Sequence, residues 1–293
     1  MGGAQEYEVI AIGPGLNAAG VDALVGGLER HSFQILERRW PGEPQPAALY
    51  VRCARKEEVT PELRTAVMDE GEAVRLDAFV LEAERPKPRL FVFDMDSTLI
   101  QAEIVDELAG LAGVKERVAA ITERAMRGEI NFRGALDERL RLLKGLPEIR
   151  LQELIESVKH SEGLEALMAG LHAAGVKTAI VSGGFGFFGR HLKQKLGFDH
   201  LFCNELEIVD GVVTGRVGAE VVDATRKAAA LNEVAEREKI SLEQVVAVGD
   251  GANDLPMLRL AGIGVAYRAK PVVKAGAQYR LTYSNLDSLL HLL

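Results

Sequence analysis

Cysteine and aromatic residues are scarce in this chain. Of its 293 residues only Cys53 and Cys203 are cysteines, and they lie far apart without forming a Cys-x-x-Cys pair or a Cys/His cluster. This spacing excludes a disulfide-stapled fold and a zinc site of the usual ligand pattern, and it is typical of the reducing cytoplasm. Aromatic side chains make up 5% of the sequence, so the interior must be built from aliphatic side chains and alanine.

Long apolar runs and an excess of positive charge are also missing. No stretch reaches the about 18 successive apolar residues of a membrane-spanning helix, and the first residues carry no signal-peptide pattern. Lys and Arg number 35 against 43 Asp and Glu, a net charge of −8 that repels a phosphate backbone. We therefore expect a cytoplasmic protein with neither nucleic acid nor membrane as a partner.

The composition that remains indicates a globular protein of two parts. Hydrophobic residues account for 47% and charged residues for 27% of the chain. That balance excludes a disordered or collagen-like chain. Because the chain exceeds the usual domain size of roughly 100 to 200 residues, we expect two domains, or one core with an insertion.

Residues 1–85 predict a small domain with the order β-α-β-β-α-β. Strand patterns occur at residues 8–12, 33–36, 48–51 and 74–81, and helix patterns occur at residues 16–28 and 61–68. Thr60 is the expected N-cap of the second helix, with Pro61 at its first position. The order is that of the ferredoxin-like α+β fold. Pro86 and Pro88 mark a linker, so we place the domain boundary near residue 86.

Residues 86–293 predict a larger α/β domain. The apolar strand Leu90–Phe93 opens it, and residues 101–159 then contain only helical patterns. Further strands are expected at 176–181, 245–248 and 263–266, each after a helical segment, and Asp210-Gly211 predicts a hairpin turn. The pattern indicates a Rossmann-like parallel sheet interrupted by a helical cap at about residues 101–162.

Two of the core strands run into acidic motifs. Asp94 and Asp96 follow the first strand, and Gly249-Asp250-Gly251-Ala252-Asn253-Asp254 follows a later one. The carboxyl ends of parallel strands share the edge of the sheet where ligands bind. Neighbouring carboxylates repel one another, which favours a divalent cation between them, and oxygen ligands favour Mg²⁺. The alternatives are acidic residues in a surface turn and, for Asn253 or Asp254, a simple helix cap.

Another strand runs into Ser182-Gly183-Gly184, and Lys227 opens a later helix. A hydroxyl and backbone N–H groups at a helix N-terminus can hold phosphate oxygens. A lysine beside the carboxylates would balance their charge and that of a phosphate, although a solvated helix lysine is the alternative. Residues 184–189 also spell the dinucleotide pattern Gly-x-Gly-x-x-Gly, but no acidic residue clearly ends the next strand, so we do not favour an NAD site.

In this order the motifs resemble the haloacid dehalogenase superfamily, through Asp94-Met95-Asp96-Ser97-Thr98, Ser182, Lys227 and the 249–254 segment. The resemblance implies that Asp94 attacks phosphorus to form an aspartyl-phosphate. It implies that Asp96 protonates the leaving alcohol and then activates the hydrolytic water. The acid at position 96 argues against carbon–halogen cleavage, because the dehalogenases of the superfamily need none there.

The same resemblance implies one Mg²⁺ per active site, held by the Asp94 carboxylate, the Asp96 carbonyl and the Asp250 carboxylate. Ser182 and Lys227 would bind the phosphoryl oxygens. Around them, the resemblance implies supporting or substrate-binding roles for Thr98, Gly183, Gly184, Asn253 and Asp254.

Over nearly all of residues 90–293 the sequence resembles, more narrowly, the phosphoserine phosphatase family. This implies that Glu103 binds the substrate ammonium and that Arg139 binds its carboxylate with a bidentate guanidinium. Met126 and Phe132 would cover the substrate. The alternatives are that Glu103 only stabilises its helix N-terminus, that Arg139 pairs with neighbouring acids such as Glu138 or Asp137, and that Met126 and Phe132 belong to the cap core.

The implied activity is Mg²⁺-dependent hydrolysis of O-phospho-L-serine to L-serine and phosphate, the last step of serine biosynthesis. Two alternatives remain open. The aspartyl-phosphate could pass to another amino-acid alcohol such as homoserine, or the chain could be an amino-acid sensor with a vestigial phosphatase core. The second is disfavoured because none of the implied catalytic residues is missing.

The first 85 residues resemble ACT-type regulatory domains. The resemblance lies in the Gly13–Val21 turn, which is similar to the glycine-containing ligand loop of such domains. It implies an amino-acid effector at the N-terminal domain and a homodimer formed through sheets or helices.

Overall fold

The computed structural model describes residues 4–40 and 48–293. In chain order, its N-terminal domain contains β1 (Gln5–Ile12), α1 (Ala18–Arg30), β2 (Gln34–Arg39), β3 (Ala48–Arg55), α2 (Pro61–Ala73) and β4 (Asp77–Glu82). The predicted β-α-β-β-α-β order is confirmed. The strands form one antiparallel sheet in the order β2-β3-β1-β4.

The two helices of this domain begin at capping side chains. The Asn17 side chain accepts a hydrogen bond from the Gly20 amide, and the Thr60 hydroxyl accepts one from the Leu63 amide, as the sequence predicts for Thr60. Both helices pack on one face of the sheet, where their apolar side chains share a hydrophobic cluster with Val9 of β1. Because side chains alternate along a strand, Ile10 faces the opposite way, towards the C-terminal domain.

The second half of this domain differs from the prediction. Helix α2 continues to Ala73, and β4 begins at Asp77, so a strand starting at residue 74 is wrong. Arg75 has φ +59°, a turn conformation that strand pairing does not permit. Gly71 lets α2 approach this turn closely, since a Cβ there would lie 2.9 Å from the Leu76 carbonyl oxygen.

The C-terminal domain continues in chain order with β5 (Leu90–Phe93), α3 (Ile104–Leu111), α4 (Lys115–Met126), α5 (Phe132–Leu142), α6 (Ile149–Ser157), α7 (Leu164–Ala173), β6 (Lys177–Phe185), α8 (Gly186–Leu196), β7 (His200–Asn204), β8 (Leu206–Val209), β9 (Val212–Val217), α9 (Ala224–Glu238), β10 (Val245–Gly249), α10 (Leu255–Leu260), β11 (Ile263–Tyr267), α11 (Pro271–Gly276) and β12 (Tyr279–Leu281). Short 3₁₀ turns occupy 242–244, 252–254 and 286–292. None of the helices in the described ranges is long and apolar enough to cross a membrane.

A six-stranded parallel sheet, ordered β12-β11-β10-β5-β6-β7, forms the core of this domain and confirms the predicted α/β class. Its two outer strands were not predicted from the sequence. Strand β12 has only three residues, and β7 is half-buried over most of its length, so neither has the apolar run of a central strand. Strand β6 also runs past the predicted end at Val181 to Phe185.

Helices α3–α6 lie in the segment predicted to form the cap, and the β8–β9 hairpin packs against this segment. Asp210 and Gly211 form the hairpin turn with φ of +51° and +74°, in agreement with the turn motif. The Gly145 amide donates to the Val213 carbonyl, and the Val213 amide donates to the Leu146 carbonyl. The cap therefore extends beyond residues 101–162, because a hairpin that follows β7 folds back onto it.

The two domains are joined by a buried carboxylate. Asp77, at the start of β4, is 1% exposed and accepts hydrogen bonds from the backbone amides of Thr282, Tyr283 and Ser284 at 2.7, 3.0 and 2.9 Å. The Tyr279 hydroxyl also donates to the Val80 carbonyl at 2.6 Å. Apolar side chains of the open face of the N-terminal sheet and of the C-terminal domain share one hydrophobic cluster.

We expect Asp77→Ala to lower the free energy of unfolding by about 3 kcal/mol, because three buried amides lose their acceptor. Urea denaturation measures this loss. Asp69→Ala is the matched control, since Asp69 binds Arg280 at the same interface but is largely exposed, and its loss should cost about 1 kcal/mol or less. Equal losses in the two variants would contradict the assigned role of Asp77.

Candidate active site

The acidic motifs meet at the carboxyl edge of the parallel sheet, as predicted. Strands β5 and β10 are neighbours, and the Asp94 amide donates to the Val248 carbonyl at 2.9 Å. Asp94 and Asp250 therefore follow adjacent parallel strands at the same edge of the sheet. This geometry brings the two carboxylates to the same edge of the sheet, where the sequence predicts a shared site.

Three carboxylates form a compact cluster here. Oxygen atoms of Asp94, Asp250 and Asp254 all lie within 4.8 Å of one another. Burial raises the pKa of Asp250 to about 7, and the charges of Asp94 and Asp254 contribute to the rise, whereas the Thr98 hydroxyl donates to Asp250 at 3.0 Å. Hard oxygen ligands that repel one another fit a divalent cation. Asp254, expected in a supporting position, lies inside this cluster.

Lys227 supplies the positive charge that is expected beside the clustered carboxylates. It is fully buried, and its Nζ lies 2.8 Å from Asp94 Oδ1 and 2.6 Å from Asp254 Oδ1. Burial lowers the pKa of Lys227, but the carboxylates of Asp254 and Asp94 outweigh this effect and raise the pKa above its usual value. The side chain stays charged, and the alternative of a solvated helix lysine is wrong.

The Ser182–Gly184 segment forms the third wall of the site. It lies within β6, at a point where the pairing of β6 with β7 shifts between Val181 and Phe185. The Ser182 hydroxyl oxygen accepts a hydrogen bond from the Gly184 amide at 3.0 Å, which leaves the hydroxyl hydrogen available to a ligand. Gly184 leaves room for the neighbouring side chains, because a Cβ there would lie 2.7 Å from Met95 Cε and 3.0 Å from Asp96 Oδ2 and would displace them.

The surroundings of Asp96 favour the protonated form of its carboxyl group. Desolvation raises its pKa well above the usual value, and the charges of Glu103 and Asp94 contribute. Its Oδ1 is buried and has no hydrogen-bond partner within the described part of the chain, and the residue lines the central cavity. A carboxyl group whose pKa is raised in this way can act as a proton donor.

The cap closes a cavity of about 140 Å³ over these groups. Glu103 and Arg139 both lie in its wall, and the remaining lining residues are Asp94, Asp96, Val105, Phe132, Leu136, Ser182, Gly183, Gly184, Phe185, Asp250, Gly251 and Asn253. Glu103 accepts a hydrogen bond from the Ser97 hydroxyl at 2.8 Å. The cavity thus has an acidic and a basic side chain from the cap above the carboxylates of the core.

The simpler pairing considered for Arg139 is not observed. Glu138 binds Arg124 at 2.7 Å, and Asp137 binds Arg133 at 3.1 Å. Arg139 instead donates from Nε to the Ala135 carbonyl at 3.3 Å and lines the cavity.

The two apolar cap residues have different positions. Phe132 lines the cavity, and its ring edge lies 3.3 Å from where a Cβ of Gly183 would be. Met126, at the end of α4, is 70% exposed and is not among the lining residues, so its covering role stays a prediction. Sequence reasoning overlooked Val105 and Leu136 in the wall, because their helical spacing is that of ordinary core residues.

Comparison with known proteins identifies the class. A profile of the haloacid dehalogenase-like hydrolase family matches residues 91–259, more than half of the chain. The chain belongs to this family. A hydrolase of the same family from Salmonella enterica serovar Typhi has a crystal structure that superposes with a TM-score of 0.90 at 32% identity, covering 98% of each chain.

Within this family the chain belongs to the phosphoserine phosphatases. A phosphoserine phosphatase from Archaeoglobus fulgidus is 48% identical over 234 residues, which are 79% of this chain and 68% of the relative. One from Streptococcus thermophilus is 44% identical over 204 residues, 70% of this chain and 95% of the relative. These relatives favour an enzyme over a sensor with a vestigial core.

Replacing Lys227 tests the charge arrangement of the site. We expect Lys227→Ala to lower kcat on p-nitrophenyl phosphate by about 100-fold or more, because one preorganised charge near the reacting group is lost. Steady-state kinetics at saturating Mg²⁺ measures the effect. Lys177→Ala is the control, since Lys177 binds Asp199 at the amino end of β6 and should leave kcat unchanged. A Lys227→Ala enzyme with normal kcat would contradict this role.

Proposed function

We propose that this chain hydrolyses O-phospho-L-serine to L-serine and phosphate through a phosphorylated Asp94. One observation carries the proposal: a single small cavity joins Asp94 and Ser182 of the core to Glu103 and Arg139 of the cap, and Lys227 pairs with Asp94 directly behind its wall. The first set suits a phosphoryl group. The cap carboxylate suits an ammonium and the guanidinium suits a carboxylate, which are the two charged groups of an amino acid.

The hydrogen bonds of Asp94 leave one oxygen available for attack. Oδ1 accepts from the Met95 amide at 2.7 Å and pairs with Lys227, so Oδ2 is the nucleophile in this mechanism. As the Oδ2–P bond forms, the bond from phosphorus to the serine oxygen breaks, and Asp96 donates its proton to that oxygen. Asp96 then takes a proton from a water molecule, which attacks phosphorus and releases phosphate and Asp94.

Other residues orient the phosphoryl group and limit access of water. The Ser182 hydroxyl and the Lys227 ammonium bind the phosphoryl oxygens and offset their charge. Val105, Phe132 and Leu136 form the apolar side of the cavity under the cap. This arrangement favours transfer to the one water molecule that Asp96 activates. Homoserine as an acceptor is the second candidate for the same intermediate.

The carboxylate cluster suits one Mg²⁺ ion. In this proposal the Asp94 and Asp250 carboxylates and the Asp96 carbonyl hold the ion, and Asp254 lies beside them. When bound, Mg²⁺ neutralises part of the negative charge on the phosphoryl oxygens. The close approach of three carboxylates, of which Asp94 and Asp254 are buried, supports this assignment.

We expect Mg²⁺ affinity to fall as the pH falls through about 7. The pKa of Asp250 is raised to about 7 in the metal-free protein, so below that pH a proton must leave before the ion binds. Calorimetric titration with Mg²⁺ at pH 6 and pH 8, in two buffers of different ionisation enthalpy, measures the affinity and the released protons. Equal affinity at both pH values, without proton release, would contradict the prediction.

A panel of phosphate esters tests the substrate. We expect strong Mg²⁺-dependent preference for phosphoserine over phosphothreonine, sugar phosphates and phosphoglycolate, and no turnover by Asp94→Asn. Arg139→Ala should lower kcat/KM for phosphoserine by about 10- to 100-fold, with little change on p-nitrophenyl phosphate, which lacks a carboxylate. The control Arg133→Ala removes an exposed arginine of the same helix.

Two outcomes would redirect this proposal. Preference for another ester would keep the phosphatase chemistry and replace the substrate. Equal losses on phosphoserine and p-nitrophenyl phosphate in Arg139→Ala would remove the carboxylate-binding role of Arg139. Phosphate release measured with and without homoserine separates hydrolysis from transfer to that alcohol.

We further propose a cytoplasmic homodimer with an amino-acid effector at the N-terminal domain. Leu36 and Trp40 are about half exposed at the outer strand of the N-terminal sheet, and these apolar side chains support a second copy of the chain there. Both cysteines are free thiols, which supports a reducing compartment. The effector proposal rests on the resemblance of the Gly13–Val21 turn to the ligand loop of ACT-type domains. Gly15 is needed because a Cβ there would lie 1.8 Å from the Val74 carbonyl oxygen. A monomeric mass in solution would contradict the dimer.

A further inference from the structure

One buried side-chain amide connects two separate parts of the phosphoryl site. Asn204 ends β7 and is fully buried. Its Nδ2 donates to the Gly183 carbonyl at 2.6 Å, and its Oδ1 accepts from the Val222 amide at 2.9 Å. The two backbone groups belong to segments about 40 residues apart in sequence. The first segment contains Ser182, which lines the cavity, and the second leads to Lys227, which pairs with Asp94.

The first segment is the Ser182–Gly184 loop. Here β6 departs from regular pairing with β7, and the register shifts between Val181 and Phe185. The Asn204 side chain bonds to the carbonyl of the middle residue of this irregular stretch. It therefore holds the loop in place where ladder hydrogen bonds do not.

The second segment leads into helix α9. Val222 precedes Asp223, whose side chain caps the helix at the Arg226 amide and whose carbonyl accepts from the Lys227 amide at 2.8 Å. One turn into the helix, Lys227 reaches Asp94 and Asp254. The hydrogen bond of the Val222 amide thus holds the start of α9, and with it the Lys227 side chain, in position relative to Asp94 and Asp254.

We propose that Asn204 is a positioning residue that sets the distance between the Ser182 hydroxyl and the Lys227 ammonium. Only a side chain with a donor at one branch and an acceptor at the other matches the Gly183 carbonyl and the Val222 amide at once, and an amide has this pattern. The inference rests on the proposed function only in that Ser182 and Lys227 bind the phosphoryl group. It does not depend on the identity of the alcohol.

Removing the amide should weaken phosphoryl binding more than it weakens the fold. We expect Asn204→Ala to raise the dissociation constant of inorganic phosphate, in the presence of Mg²⁺, by about 10-fold or more. We expect kcat/KM to fall by the same order on both phosphoserine and p-nitrophenyl phosphate, so that their ratio is unchanged. Phosphate titration calorimetry and steady-state kinetics measure these values, and Mg²⁺ affinity should remain that of the wild type.

Thr178→Val is the matched control. Thr178 is fully buried on β6, and its hydroxyl bonds to Asp199 at the opposite end of the same strand pair. The control therefore loses partly buried hydrogen bonds between β6 and the residue that precedes β7, away from the site. We expect its Tm to fall as in Asn204→Ala, with phosphate affinity unchanged.

The proposal is overturned if Asn204→Ala has a lower Tm but wild-type phosphate affinity and kcat/KM. Asn204→Leu fills a similar volume without either hydrogen bond and serves where the alanine variant is unstable. Failure of both variants to fold while Thr178→Val folds also overturns it, because the amide then serves the fold. If the wild-type protein binds phosphate but hydrolyses no ester, the proposed function fails while the binding test of Asn204 still applies.

Discussion

The rest of the structure depends on the concentration of negative charge at one edge of a parallel sheet. Asp94, Asp250 and Asp254 lie within 4.8 Å of one another, largely away from water. Carboxylates repel strongly in such surroundings, and a lone buried charge is costly. Lys227 offsets this by pairing with two of the three, and burial together with the repulsion that remains raises the pKa of Asp250. A cation and a phosphoryl group then enter a site whose charges are already arranged.

The division of the molecule follows from this site. The core supplies the phosphoryl chemistry, and the cap brings two charged side chains to the other end of the cavity. The connections between cap and core lie side by side, with a β-bridge between Ile100 and His160. Nearby, the Leu286 amide donates a hydrogen bond to the Glu162 carbonyl. Leu286 lies two residues after Ser284, whose amide donates to Asp77. The N-terminal domain, the core and the cap connection therefore meet through one stretch of chain.

Much of the fold and site was predictable because the signals are local. Apolar strands running into Asp94 and Asp250 identify both the sheet and its ligand edge, and the Thr60-Pro61 pair identifies a helix start. The strand β12 and the cap role of the β8–β9 hairpin were not predictable. Strand β12 has only three residues, and the hairpin reaches the cap through contacts with segments far away in sequence. Asn204 was missed for the same reason, because its partners are set by the irregular pairing of β6 with β7.

The sequence by itself determined the chemistry available: four aspartates, a serine and a lysine at the ends of strands and the start of a helix, with Glu103 and Arg139 in an inserted cap. Only the tertiary structure decided which of them meet. It turned Arg139 into the cavity while its neighbours paired elsewhere, left Met126 exposed, and buried Lys227 between two carboxylates. The physical reason is that residue type sets what a side chain can do, whereas burial and distance, which set pKa values and pairing, arise from packing between segments far apart in the chain.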